Sequence, residues 1–157
     1  MIHNNLAEDR IRLADLHGIC ELNYLRLMRL CPDLRVAQRR DLYAGSRRQF
    51  SLSIEITERS SFTTTVRLNL RMENMPWAGL QNLLLRVYHD ASMLEVAFCN
   101  EKRIGSIRYR YPNAAMYMPD EKVQLNEFLG IWLDYFLAHG SGTENLELVS
   151  PDTGSNQ

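Results

Sequence analysis

The chain has 157 residues, of which 45% are hydrophobic and 24% are charged, and its formal net charge is −1. This length and composition are typical of one soluble globular domain. The sequence contains no run of about 18 apolar residues, which argues against a membrane-spanning helix. The pI near 6.4 argues against nucleic acid as a partner, because nucleic-acid-binding domains are usually basic.

The cysteines and the N-terminus favour a cytoplasmic protein. Cys20, Cys31 and Cys99 follow no zinc-binding spacing, and their odd number favours reduced thiols in a reducing compartment. The first ten residues do not combine a basic segment with an apolar core, so they do not resemble a secretory signal.

The first predicted element is a helix over residues 10–31, in which apolar residues recur at helical spacing. Pro32 ends it, because proline cannot donate the next helical hydrogen bond. Residues 33–49 are polar and rich in arginine, and they suggest a short helix followed by a turn at Gly45. Five arginines between Arg35 and Arg48 invite a nucleic-acid interpretation, but a solvated loop is the interpretation we favour.

From Phe50 onward the pattern changes to alternation of apolar and polar residues. Residues 50–58 and 62–70 predict a β-hairpin with one apolar and one polar face. Residues 83–90 and 93–99 predict a second hairpin, and residues 104–111 predict a fifth strand.

The last element is an amphipathic helix whose apolar residues follow helical spacing from Leu125 to Leu137, before Gly140 ends it. The polar, acidic residues 141–157 predict a flexible tail, so residues 1–140 form a single domain. The predicted fold class is α+β: a five-stranded antiparallel meander with N-terminal and C-terminal amphipathic helices packed on one face. Asn23 and Asn126 lie on or beside apolar helix faces, where a buried amide needs partners. They either fix the register of helix on sheet or line a pocket.

Several short motifs between residues 14 and 140 form a recognisable set. They are Cys20-Glu21-Leu22-Asn23, Arg86, Tyr88-His89-Asp90-Ala91, Glu95-Val96, Tyr111-Pro112-Asn113, Asp120-Glu121-Lys122, Trp132-Leu133 and Leu137-Ala138-His139-Gly140. In these motifs the chain resembles the YqiB-like family, a bacterial domain of unknown function. The resemblance implies a small cytoplasmic protein and supplies no reaction, cofactor, partner or catalytic residue.

His89 and Asp90 suggest chemistry, because a histidine beside a carboxylate is able to serve as a general base or a metal ligand. Adjacent strand residues point to opposite faces, however. We therefore favour Asp90 as the start of a turn and His89 as a residue at the sheet margin.

Alternating arginines on the predicted strands are the second candidate. Arg67, Arg86, Arg108 and Arg110, with Tyr88 and His89, form a candidate ligand-binding face for a phosphate or carboxylate. The alternative is a solvated face in which these arginines form cross-strand pairs with Glu55 and Glu95. The sequence leaves both interpretations open.

The sequence contains no Walker loop, Rossmann glycine pattern, nucleophile elbow, paired CxxC or HExxH. We therefore expect a non-catalytic binding or regulatory module without cofactor or metal. Its Arg/Tyr face would engage an anionic small molecule or an acidic protein partner. Two alternatives remain: a hydrolase-like enzyme in which His89, Asp90 and His139 converge, and a component of a protein assembly. The oligomeric state is left open.

Overall fold

The structure is a computed structural model that describes residues 3–73, 81–100, 102–103 and 119–142. Two helices, α1 (His3–Leu30) and α2 (Pro119–His139), accompany one antiparallel sheet. The strands are β1 (Arg39–Ala44), β2 (Phe50–Arg59), β3 (Thr63–Met72), β4 (Gln81–Tyr88), β5 (Met93–Cys99), β6 (Lys102–Arg103) and β7 (Ser141–Gly142). Their spatial order is β6-β5-β4-β3-β2-β1-β7. The α+β class with an antiparallel sheet is confirmed.

The predicted number of five strands is wrong, because the described sheet has seven. Strand β1 was not predicted, since only Leu42 and Ala44 of its six residues are buried. Pairing with β2 along its whole length makes it a strand. Ser141 and Gly142 were assigned to the tail, yet they pair with β1 as β7. The predicted strand at 104–111 lies outside the described residues.

A single core joins one face of the sheet to both helices. Buried residues alternate along the four long strands β2–β5, as the hairpin patterns predicted. The core cluster comprises Leu42, Ala44, Leu52, Ile54, Ile56, Val66, Leu68, Leu70, Leu83, Leu85, Val87, Leu94 and Val96 of the strands, with Leu27, Leu30, Cys31, Leu34, Leu129, Leu133 and Phe136. No helix in the described part of the chain is long and apolar enough to cross a membrane.

Two fully buried amides tie the helices to β5. Asn23 Nδ2 donates to the backbone oxygen of Asn126 at 2.8 Å, which joins α1 to α2. Asn126 Oδ1 accepts from the backbone nitrogen of Val96 at 3.2 Å, and its Nδ2 donates to the backbone oxygen of Lys122 at 2.8 Å. Buried amides with several partners have defined positions, so these bonds hold α2 at one register on β5.

Candidate functional site

The alternate side chains of β1–β5 form the second face of the sheet, called here the polar face. Its members include Asp41, Tyr43, Ser53, Glu55, Arg67, Asn69, Arg71, Asn82, Leu84, Arg86, Tyr88 and Glu95. Strand register places Arg67 opposite Glu55, Arg86 opposite Glu95, and Asn69 opposite Asn82. Glu55 and Glu95, the two carboxylates predicted to pair across strands with arginines, therefore lie opposite Arg67 and Arg86.

Arg67 is held loosely. Its Nη1 lies 4.0 Å from Glu55 Oε2, and the side chains are 47% and 43% exposed. Exposed pairs of this kind contribute about 0–1 kcal/mol. The Arg67 guanidinium therefore keeps most of its capacity to bind an external anion.

Arg86 and Tyr88 have a different setting, because Glu95 lies against both. Tyr88 donates its hydroxyl hydrogen to Glu95 Oε1 at 2.9 Å, and Lys122 Nζ donates to Glu95 Oε2 at 2.8 Å. Burial alone would raise the pKa of Glu95. The hydrogen bond and charge of Lys122, assisted by Tyr88 and Arg86, instead lower that pKa below its ordinary value. Glu95 is thus an ionised internal partner that already uses part of the predicted binding face.

The polar face carries two depressions. The larger, of about 470 Å³, is lined by Arg67, Asn82, Leu84 and Phe98. The smaller, of about 230 Å³, is lined by Arg39, Asp41, Tyr43, Ser51, Leu52, Ser53, Asn69 and Arg71. Asn82, Leu84 and Phe98 line the larger depression but were not predicted as site residues. The available signal was Leu84, an apolar residue in the polar phase of its strand.

A β-bulge explains why Phe98 reaches this face. Leu84 pairs with Phe98, whereas Leu85 pairs with Val96, so Ala97 is an extra residue in β5. Without the bulge, alternation from Val96 would direct Phe98 to the core. The register shift directs Phe98 to the polar face instead, while Cys99 packs against the core.

His89 lies at the end of β4 and contacts two hydroxyl groups. Its Nε2 is 2.8 Å from Thr64 Oγ1, and its Nδ1 is 3.5 Å from the hydroxyl oxygen of Tyr24. Burial and the charge of Arg35 lower the pKa of His89, against the opposing effect of Asp90. The imidazole is therefore neutral near pH 7 and links α1 to the sheet, because Tyr24 belongs to α1 and Thr64 to β3.

The structure does not bring His89 and His139 together. His89 follows β4 at the end of the sheet where β2 finishes at Arg59. His139 precedes β7, which lies at the opposite end, level with Ser51 of β2. Eight residues of extended strand separate those levels, or about 26 Å. Asp90 is exposed in the turn after His89, and both ring nitrogens of His89 face hydroxyls.

Two of the predicted site residues, Arg108 and Arg110, lie outside the described residues. Arg67, Arg86 and Tyr88 share the polar face, whereas His89 contacts the helix side of the sheet through Tyr24. The described ranges contain no group of three or more His, Cys, Asp or Glu side chains suited to a metal ion.

These features define an α+β protein with a polar sheet face and no recognised catalytic constellation among its described residues. A family model described as "Protein of unknown function (DUF1249)" matches residues 26–142, and the chain belongs to this family. The chain is also 35% identical over 125 residues to the uncharacterized protein YqiB of Escherichia coli strain K12. The alignment covers 78% of this chain and 86% of the relative. The YqiB proteins of strains O6:H1 and O157:H7 match equally.

The comparisons confirm the resemblance to the YqiB-like family. No solved structure matches the chain. The family description assigns no activity, so a functional argument depends on the site itself.

Proposed function

We propose that the protein is a non-catalytic binding or regulatory module that engages an anionic small molecule on the polar face, at the larger depression. The observation that carries the proposal is the state of Arg67. Its side chain is 47% exposed and lines a depression of about 470 Å³, and its Nη1 lies 4.0 Å from the carboxylate of Glu55, its ion-pair partner among the described residues. An arginine so placed offers bidentate hydrogen bonds to a phosphate or carboxylate.

Arg86 supports the same site from the neighbouring strand. It lies diagonally from Arg67, two residues beyond Leu84 on the same face of β4. Diagonal neighbours of this kind are about 7–8 Å apart, within reach of long side chains. Glu95 opposes Arg86 and neutralises part of its charge, so Arg67 is the principal anion-binding residue and Arg86 the secondary one.

A concave site favours a small molecule over an acidic protein partner, the other occupant this face suits. Pockets that bind small ligands combine apolar side chains with a few placed polar groups. Leu84 and Phe98 supply apolar surface, and Arg67 and Asn82 supply the polar groups.

The test is binding of an anion panel to the full chain, comprising phosphorylated metabolites, nucleotides and dicarboxylates, measured by thermal shift and calorimetry. A ligand present at 100 times its Kd stabilises the fold by about 2.7 kcal/mol. We expect a hit that Arg67→Ala weakens by at least tenfold.

Arg29→Ala is the matched control, because Arg29 is an exposed arginine on α1, away from the sheet. Equal affinity of the Arg67→Ala and wild-type proteins would overturn the proposal. If no anion in the panel binds, and an acidic protein is captured only when Arg67 is present, the polar face binds a protein partner instead.

We also propose a cytoplasmic location. All three cysteines are free thiols, as is usual for proteins in reducing compartments. Cys20 is buried, and burial raises its pKa to about 11, so this thiol is inert and structural. Cell fractionation with an epitope-tagged chain tests the assignment, and recovery in the periplasm would contradict it.

A further inference from the structure

Two asparagines face each other at the centre of the polar face. Asn69 of β3 pairs directly with Asn82 of β4. Asn82 lines the larger depression and Asn69 the smaller, so the amide pair lies between them. Arg67 and Arg71 flank Asn69 two residues away on the same strand and the same face. Amide groups are thus bordered by cations in both directions along β3.

Asn69 has an unmet hydrogen-bonding requirement. Its Oδ1 is buried and accepts no hydrogen bond from any residue that the structure describes. Buried polar atoms are normally paired, and an unpaired one raises the free energy of the protein. The residue as a whole is only half-buried, and the terminal torsion of an asparagine is broad. Rotation about that torsion would bring the oxygen to the open face, where a ligand N–H would give it the donor that it lacks.

The neighbouring row of side chains offers a surface of another kind. Leu84 and Phe98 are cross-strand partners on the polar face, beside Arg67. An aromatic ring on an open sheet face is a stacking surface for a nucleobase. This row lies two residues along the strand from the amide pair, a distance of about 7 Å. A planar ligand is able to contact both rows at once.

We propose that the anionic ligand is a nucleotide, and this inference rests on the function proposed above. The base stacks on Phe98 and Leu84, and one of its N–H groups donates to Asn69 Oδ1. The Asn82 amide contacts the same edge of the base. It suits that role because an asparagine amide has one donor group and one acceptor group, which match the donor and acceptor pattern of a base edge. The phosphate lies against Arg67. A sugar phosphate or dicarboxylate would use Arg67 but neither the stacking surface nor the amides.

The experiment is calorimetric titration of the full chain with the four ribonucleoside monophosphates, ribose 5-phosphate and inorganic phosphate. We expect at least one nucleotide to bind about tenfold or more tightly than ribose 5-phosphate, because of base stacking. Asn69→Ala is expected to weaken that nucleotide severalfold and leave ribose 5-phosphate unchanged. Arg67→Ala is expected to weaken both ligands.

Ser53→Ala is the control variant, because Ser53 is the β2 neighbour of Asn69 and also lines the smaller depression. Asn69→Ala removes an unpaired acceptor, so we expect its Tm to equal or exceed that of the wild type. Loss of fold is therefore not expected to confuse the measurement. Phe98→Leu provides a second variant that removes stacking but keeps apolar bulk.

The outcomes separate the two proposals. Equal binding of nucleotides and ribose 5-phosphate, both weakened by Arg67→Ala, would overturn the nucleotide assignment and leave the anion site standing. Nucleotide binding that is unchanged in both Asn69→Ala and Phe98→Leu would also overturn it. Binding of no anion at all would overturn the proposed function, and the nucleotide assignment with it.

Discussion

Two parts of the polar face carry similar residues in opposite states. Around Glu95, the carboxylate accepts from both Lys122 and Tyr88 and lies opposite Arg86. Around Arg67, the only facing carboxylate among the described residues is 4.0 Å away and 43% exposed. An arginine in the polar phase of a strand therefore does not by itself mark a binding site. Whether the arginine's charge is available to a ligand depends on how buried the opposing carboxylate is and whether that carboxylate is ionised.

The largest effect is expected in the first part, from Lys122→Met. The Lys122 side chain is 9% exposed and that of Glu95 24%, and removing one partner of a buried ion pair leaves an uncompensated charge. Since Glu95 keeps Tyr88 and Arg86 nearby, we expect a loss of about 2–3 kcal/mol. Urea denaturation measures it, with Glu95→Gln/Lys122→Met as the control. A double variant as unstable as the sum of the singles would show that the two side chains are uncoupled.

The dependence of stability on pH is expected to reveal the ion pair of Glu95. Because the folded-state pKa of Glu95 is below its ordinary value of 4.5, its contribution is complete above pH 4.5. That contribution is lost as the pH falls through the folded-state pKa. We expect Glu95→Gln to flatten the dependence of unfolding free energy on pH in this range. Parallel curves for Glu95→Gln and wild type would contradict the pairing.

His89, at the end of the strand that carries Arg86, is expected to give a smaller pH effect. Its folded-state pKa is below 6.5, so the unfolded chain takes up a proton first as the pH falls. Stability is therefore full above pH 6.5 and declines toward the folded-state pKa. NMR titration of the ring locates that pKa. His89→Gln should remove the decline, and a His89 pKa above 6.5 would refute the assignment.

The smallest stability effect is expected from Arg67→Ala. An exposed, loosely paired side chain contributes little to folding, so we expect a change within about 0.5 kcal/mol by urea denaturation. The same variant is expected to abolish most ligand affinity. A loss of more than about 1.5 kcal/mol would mean that Arg67 stabilises the sheet, which would remove the contrast with Lys122.

Alternation was a dependable guide where both phases were clear. The hairpin of β2 and β3 was predicted from its pattern, and Leu52, Ile54, Val66, Leu68 and Leu70 are buried. Alternation failed to predict β1, because the strand begins with charged residues and only Leu42 and Ala44 are buried. That strand forms because β2 offers it a partner, which is a long-range effect and invisible in a local pattern.

The candidate site was predictable only in part. The alternation of side chains along a strand was sufficient to place Arg67 and Arg86 on one face of the sheet. Judging their availability required the position of Lys122, which comes from another element and is set by the buried amides of Asn23 and Asn126. The local sequence around Glu95 does not predict that Lys122 of α2 contacts it.

The class of fold, the two helices, the pairing of β2 with β3 and the family were all predictable from the amino-acid sequence. Periodicity and motifs are local properties of the sequence. The periodicity of apolar residues shows which face of each element the hydrophobic effect drives into the core. Only the tertiary contacts show that Glu95 accepts from Tyr88 and Lys122, whereas Arg67 has a long, exposed contact with Glu55 as its ion pair among the described residues. Tertiary contacts also show that a bulge at Ala97 directs Phe98 to the polar face. Register and bulges arise from contacts between strands distant in sequence, and one residue of shift exchanges the two faces.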